Sequence, residues 1–174
     1  VDANDIAPSH NPDTYAKTKG VPVDERGNTL NDRNYEADKQ AQALNTERAN
    51  NYTRKAIDNP IIVTEDGVVI SGNDRTMARQ KAAKQATDTD YIEGLLEDAE
   101  MYGIDPAEVK RMIDEGKAPT LVFEKSGASE YTTAEYAKYN VAEAKGQNPL
   151  EKAVALSKKV QDATINKVIA LLDG

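Results

Sequence analysis

Between Asn59 and Ala86 the chain reads NPIIVTEDGVVISGNDRTMARQKAAKQA, and that order of residue types leaves few folds open. Two β-branched runs, residues 61–64 and 68–70, flank a Glu65-Asp66-Gly67 turn, and Asp-Gly between such runs is a strong hairpin signal. The two strands are expected to pair antiparallel. The second ends in Ser71-Gly72-Asn73-Asp74-Arg75, and residues 76–86, without Gly or Pro and rich in Ala, Gln, Lys and Arg, read as a helix. A chain with a hairpin leading through a glycine turn into a helix is a mixed α and β chain, not a bundle and not a sandwich.

The first backbone N–H groups of a helix have no intrahelical partner and lie at the positive end of the helix dipole, so an anion is their natural occupant. Gly72 permits close approach or a positive φ, Asn73 or Asp74 could cap the helix, and Arg75 offers a planar fork suited to phosphate oxygens. Residues 75–86 contain no acid, while Arg75, Arg79, Lys81 and Lys84 are basic. The ordinary alternative is a capped helix with a solvated basic face, because glycine turns before helices are common.

A chain of 174 residues is long enough for one domain of usual size, or one domain with an appended helical piece. It contains no Cys, which removes disulfides, thiolate metal sites and cysteine nucleophiles and suits the cytoplasm. No apolar run approaches the roughly 20 residues of a membrane span, and VDANDIAPSH at the start lacks the features of a signal peptide. The absence of an initiating Met suggests a segment of a longer polypeptide, with additional domains as partners. Residues 88–116 hold ten acids and two bases and so carry the whole net charge of −8. The remainder is formally neutral, so the sum says little about an anionic partner. Those acids read most simply as a solvated outer face.

The expected organisation is an extended N-terminal arm over 1–34, a core over 35–130 that includes the acidic helical insertion 88–116, and a C-terminal helical subdomain over 131–174. Pro8, Pro12, Gly20, Pro22 and Gly27 break up the arm, leaving strand character only near Asp5-Ile6 and Val21-Pro22-Val23. His10, the one histidine, has no partner of metal-binding kind nearby and reads as a loop or capping residue. Residues 35–52 form a helix with a weak stripe through Ala37, Ala41, Leu44 and Arg48. Residues 90–102 place Tyr91, Ile92, Leu95, Leu96, Ala99 and Tyr102 on one face and stop at Gly103. Asp105-Pro106-Ala107-Glu108 starts another helix burying Val109, Met112 and Ile113. A third strand is expected over 119–124, then helices from Thr133 to Gly146, from Asn148 onward and from about Asp162, the last two forming a hairpin. The fold class is α+β, a small mixed sheet with flanking helices.

Three words in this order, SHNPDTYAKTKG (9–20), NPIIVTEDGVVISGNDRTMA (59–78) and AKYNVAEAKGQNPLEKA (137–153), resemble the ParB/sulfiredoxin superfamily, and most closely the DdrB-like ParB domains carried on large polyvalent proteins of phages and conjugative elements. The likeness spans most of residues 5 to 155. In ParB-type domains the central motif Gly-Glu-Arg-Arg cradles nucleotide phosphates, so the resemblance implies that Gly72, Asn73, Asp74, Arg75 and Thr76 form a phosphate site. It keeps the glycine and the last arginine of the motif.

The later ParB word, Glu-Asn followed by Asn-Pro-Ile-Glu, compares with Tyr139-Asn140 and Asn148-Pro149-Leu150-Glu151. The resemblance therefore adds Asn140 and Asn148 to the nucleotide site and Asp74 and Glu151 as metal candidates, with CTP or ATP and Mg²⁺ as the implied ligands. Tyr139 replaces a carboxylate near the metal, so nucleotide binding is better supported than hydrolysis. Sulfiredoxin-like members carry a reactive cysteine after the glycine, and Asn73 there excludes sulfinic acid reduction. Asp74 has three open roles: capping the helix, binding Mg²⁺, or repelling an anion. The function so implied is a nucleotide-binding module in DNA transactions of a phage or mobile element, with DNA a further partner. The alternatives are a metal-dependent DNA nuclease, for which only Asp66, Asp74 and Glu151 offer loose carboxylates, and a non-catalytic protein-interaction domain.

Overall fold

The computed structural model describes residues 1–23, 27, 29–30, 33–125 and 136. The chain divides into two compact units, Val1–Val21 with Tyr35–Ser129, and Pro22–Asn34 with Glu130–Gly174. In the second, Val23 and Thr29 form an antiparallel bridge, and Thr29 and Leu30 are buried. The expected C-terminal helices, with Asn140, Asn148 and Glu151, lie outside the described residues. Every element below belongs to the first unit.

Among the described residues the sheet has three strands, β1 (Ile61–Thr64), β2 (Val69–Ser71) and β3 (Val122–Lys125), in the order β2-β1-β3. As the Asp-Gly turn predicts, β1 and β2 are antiparallel, with an irregularity between Ile62 and Val63, and Gly67 takes φ +74°. β3 runs parallel to β1, pairing Ile61 with Val122 and Thr64 with Lys125. The sheet is thus mixed, and with its helices the domain is α+β. Ala7 of the arm adds a parallel bridge to Val68. Ile6 packs with Ile61, Val63 and Val69 against Val122.

β3 starts three residues later than the sequence suggests because residues 118–121 commit their backbone elsewhere. Ala3 N–H donates to Ala118 O, Thr120 N–H to Val1 O, and Leu121 N–H to the Tyr91 hydroxyl. Pro119 has no N–H to offer a ladder.

Among the described residues there are four α-helices, α1 (Lys39–Asn50), α2 (Asn73–Gln85), α3 (Thr89–Asp98) and α4 (Pro106–Asp114), of which α2 packs on β1 and β2 and α1 packs on α2. Asp38 caps α1 by accepting from Ala41 N–H. Asp105 caps α4 by accepting from Ala107 N–H, with Pro106 in the first turn, as expected. α3 passes into a 3-10 turn, Ala99–Tyr102, which stops at Gly103 with φ +70°. The larger apolar cluster joins Ala49, Tyr52 and Ile57 to Ala78 and Ala82 of α2, Tyr91 and Leu95 of α3, Val109 and Leu121.

Two helix faces differ from expectation. On α1 the buried positions are Ala41, Asn45 and Ala49, and Leu44 is exposed. The inward face is rotated by one residue because Asn45 finds partners on α2. On α4 Ile113 is exposed rather than buried, since the helix is short and only Val109 reaches the core.

The largest correction concerns α2. The solvated basic face does not exist: Arg79 is wholly buried and Lys81 nearly so, together with Asn73, Thr76, Met77, Ala78, Gln80 and Ala82. Gln80 donates to the carbonyls of Ala3 and Ile6. Arg79 donates to Asp88 at 2.6 Å and to Pro119 O at 3.0 Å, and lies 5.0 Å from the Tyr91 ring centroid. Lys81 donates to the Tyr15 hydroxyl and to Asn45 Oδ1. Of the three basic residues after Arg75 only Lys84 is in solvent, where it meets Asp13. α2 is a central helix held by hydrogen-bonded polar side chains, which offset most of the cost of burying a polar helix, although Arg79 Nε and Gln80 Oε1 are buried without a hydrogen-bond partner.

Candidate functional site: the glycine turn at the start of α2

β2 ends at Ser71 and α2 begins at Asn73, so one residue, Gly72, turns the chain from strand to helix. It does so at φ +95°, in the left-handed region that L side chains avoid. Gly72 is the N-cap, and having no side chain it supplies no capping bond. Its carbonyl accepts from both the N–H and the hydroxyl of Thr76, at 2.8 and 3.0 Å. Thr76 thereby closes the first turn with its side chain turned inward and fully buried.

Neither Asn73 nor Asp74 caps the helix, contrary to expectation. Asn73 is buried, and its Oδ1 accepts from Ser9 N–H at 2.6 Å, tying the SHNP word of the arm to the glycine turn. Next to Ser9, His10 is also buried, its Nδ1 is 2.9 Å from the Ser9 hydroxyl, and its ring meets Tyr35 edge-on. Burial lowers its pKa to about 4, against a rise from Glu36.

Asp74 turns toward α1. Its Oδ1 and its backbone carbonyl accept from Asn45 Nδ2 at 2.8 and 2.7 Å, and Oδ2 pairs with Arg48. A carboxylate between an amide and a guanidinium is largely neutralised as a source of repulsion. Among the described residues no group of three or more His, Asp or Glu side chains could hold a metal ion.

Arg75 folds back over the turn. A Cβ on Gly72 would stand 3.0 Å from one Arg75 Nη and 3.4 Å from Cζ and Nε. The glycine is thus required twice, by its backbone angle and by the guanidinium lying across it. The site therefore gathers an uncapped helix N-terminus, a planar cation at the same point, and a neighbouring acid already paired. Sequence reasoning named neither Asn45 nor Ser9 as functional, placed Arg48 only on a helix stripe, and read Arg79 and Lys81 only as part of a basic face. Only the polar character of residues 9–20 and their place in the resemblance pointed toward Ser9.

An α+β domain whose second strand passes through a left-handed glycine into a buried helix is the class of protein that this geometry defines. A family model described as the ddrB-like ParB superfamily domain matches residues 1–126, and the chain belongs to that superfamily. No match to a curated protein or to a solved structure was found. No helix among the described residues is long and apolar enough to cross a membrane.

Proposed function

We propose that the turn from Gly72 to Thr76 binds the phosphates of a nucleotide, CTP or ATP with Mg²⁺, and that the domain acts in DNA transactions of a phage or mobile element, in the cytoplasm. The observation that carries this reading is the Arg75 guanidinium folded across Gly72 at the uncapped start of α2. A helix N-terminus contributes directed donors but only about half a positive charge, while a triphosphate brings several negative ones. A guanidinium supplies the missing charge and two parallel hydrogen bonds of the charge-assisted kind. The pairing of Asp74 with Arg48 supports it further, since it answers the one carboxylate at the turn.

Arg75→Ala is expected to weaken nucleotide binding by about 1.5–3 kcal/mol, on the order of ten- to a hundredfold. Arg75→Lys recovers only part of this, because an ammonium cannot reproduce the fork. Calorimetric titration of CTP, ATP and GTP, with and without Mg²⁺, into wild type and both variants tests it. Equal affinities for wild type and Arg75→Ala would place the phosphates elsewhere.

A further inference from the structure

At the end of α2 remote from Gly72, a cavity of about 330 Å³ lies between that helix, the start of α3 and the end of α4. Its walls are largely apolar, formed by Ala83, Ala86, Ile92, Ile113, Ala118 and Pro119. That volume falls at the low end of the range for small-molecule sites, about 300–1,000 Å³. The charges around it run against those of the chain as a whole. The sequence has 30 acids and 22 bases, whereas this lining sets Arg79, Lys84 and Lys117 against a single acid, Asp88.

Asp88 is already engaged. It stands at the N-cap of α3 without capping it, and its carboxylate accepts from Arg79 Nη1 at 2.6 Å. Arg79 Nη2 donates to Pro119 O, so the guanidinium, carboxylate and carbonyl of one wall are bonded to one another. Arg79 Nε has no acceptor, although the residue is wholly buried. What this wall lacks is therefore an acceptor and not a donor. Lys84 and Lys117 pair with Asp13 and Glu115, but both members of each pair are exposed, and exposed pairs contribute little. Either ammonium can turn to a bound anion at small cost. α4 can adjust to a ligand as well, because among the described residues it exchanges no hydrogen bond or ion pair with another element.

We propose that this cavity binds a small organic anion, its apolar body against Ile92, Ile113 and the alanines and its acid group answered by Lys84 and Lys117 at the edge. The site is separate from the Gly72 turn, which lies at the opposite end of α2, and does not depend on the phosphate reading of that turn.

The test uses the full chain and two probes of similar shape, anilinonaphthalene sulfonate and the neutral phenylnaphthylamine, followed by methyl-resolved NMR. The sulfonate is expected to give saturable shifts at the methyls of Ala83, Ala86, Ile92, Ile113 and Ala118, and to bind about tenfold more tightly than the neutral probe. Lys84→Gln combined with Lys117→Gln is expected to remove that advantage, leaving the neutral probe's affinity and the thermal midpoint of the unliganded protein unchanged. Lys110→Gln, on α4 but outside this lining, serves as the control and alters neither affinity. Equal affinity for the two probes, or wild-type sulfonate affinity in the double lysine variant, overturns the proposal. So do saturable shifts confined to other methyls, or no saturable binding of the sulfonate at all. Arg75→Ala is expected to leave sulfonate binding at wild-type strength; a loss there would place the probe at the Gly72 turn and overturn the second site while leaving the first.

Discussion

A glycine at φ +95° beneath a guanidinium has no substitute. Gly72→Ala forces a side chain into the left-handed region, at a cost of order 1–3 kcal/mol, and pushes Arg75 off the turn. Lower stability and lower nucleotide affinity should therefore appear together, read by thermal melts and titration; a variant as stable as wild type would contradict the stated backbone geometry. His10 carries a separate expectation. Its folded pKa is about 4, below the 6.5 of the unfolded chain, so between those values the unfolded chain binds more protons. The neutral ring's contribution is complete above pH 6.5 and is lost as pH falls toward 4, up to roughly 3 kcal/mol in all. Urea midpoints of wild type and His10→Gln, measured between pH 7 and 4.5, should fall less steeply in the variant. Parallel slopes would show that His10 is not the group responsible.

Among the elements, those with alternating or amphipathic apolar patterns were legible in the sequence: β1, β2, their glycine turn, α3, and the capped start of α4. The faces that were not legible are those buried through polar groups. α2 has little apolar periodicity, yet Arg79, Gln80 and Lys81 are inside because each meets a carbonyl, carboxylate, amide or hydroxyl from another segment. On α1 the same cause places Asn45 inward and Leu44 outward. Such partners come from up to 77 residues away, and no local pattern records them. Of the candidate site, the glycine turn and Arg75 were legible; the roles of Asn73 and Asp74 were not, because Ser9, Asn45 and Arg48 decide them. Arg79→Ala should accordingly cost about 3–5 kcal/mol by leaving Asp88 and the Pro119 carbonyl without their cation. Arg111→Ala, which breaks only exposed pairs with Glu108 and Glu115, should leave the urea midpoint unchanged. Gly94→Ala reverses the usual helix preference. Although Ala ordinarily gains up to about 1 kcal/mol over Gly within a helix, a Cβ here would stand 2.7 Å from Arg54 Cβ and 3.1 Å from Ile57 Cδ1. The variant should melt lower than wild type, and a higher melting point would show that α3 does not pack on the turn at Arg54–Ala56 as described.

Over the whole molecule, charge is informative by distribution and not by sum. The acidic stretch 88–116 accounts for the net charge of −8, and four of its acids, Glu97, Asp98, Glu108 and Glu115, are engaged by Arg54, Arg111 and Lys117. The start of α2, by contrast, has Arg75 across its glycine and Arg48 beside it on Asp74. An acidic protein can thus keep one locally cationic point, which is what a polyphosphate ligand requires. Membership of the ddrB-like ParB superfamily covers residues 1–126, the stretch that holds the glycine turn. The most direct test of the central claim follows the backbone amides of residues 72–76 by heteronuclear NMR during titration with CTP and ATP in the presence of Mg²⁺. The largest saturable shifts are expected at those amides, with their loss in Arg75→Ala. Saturable shifts confined to other parts of the chain, or none with any nucleotide, would contradict it.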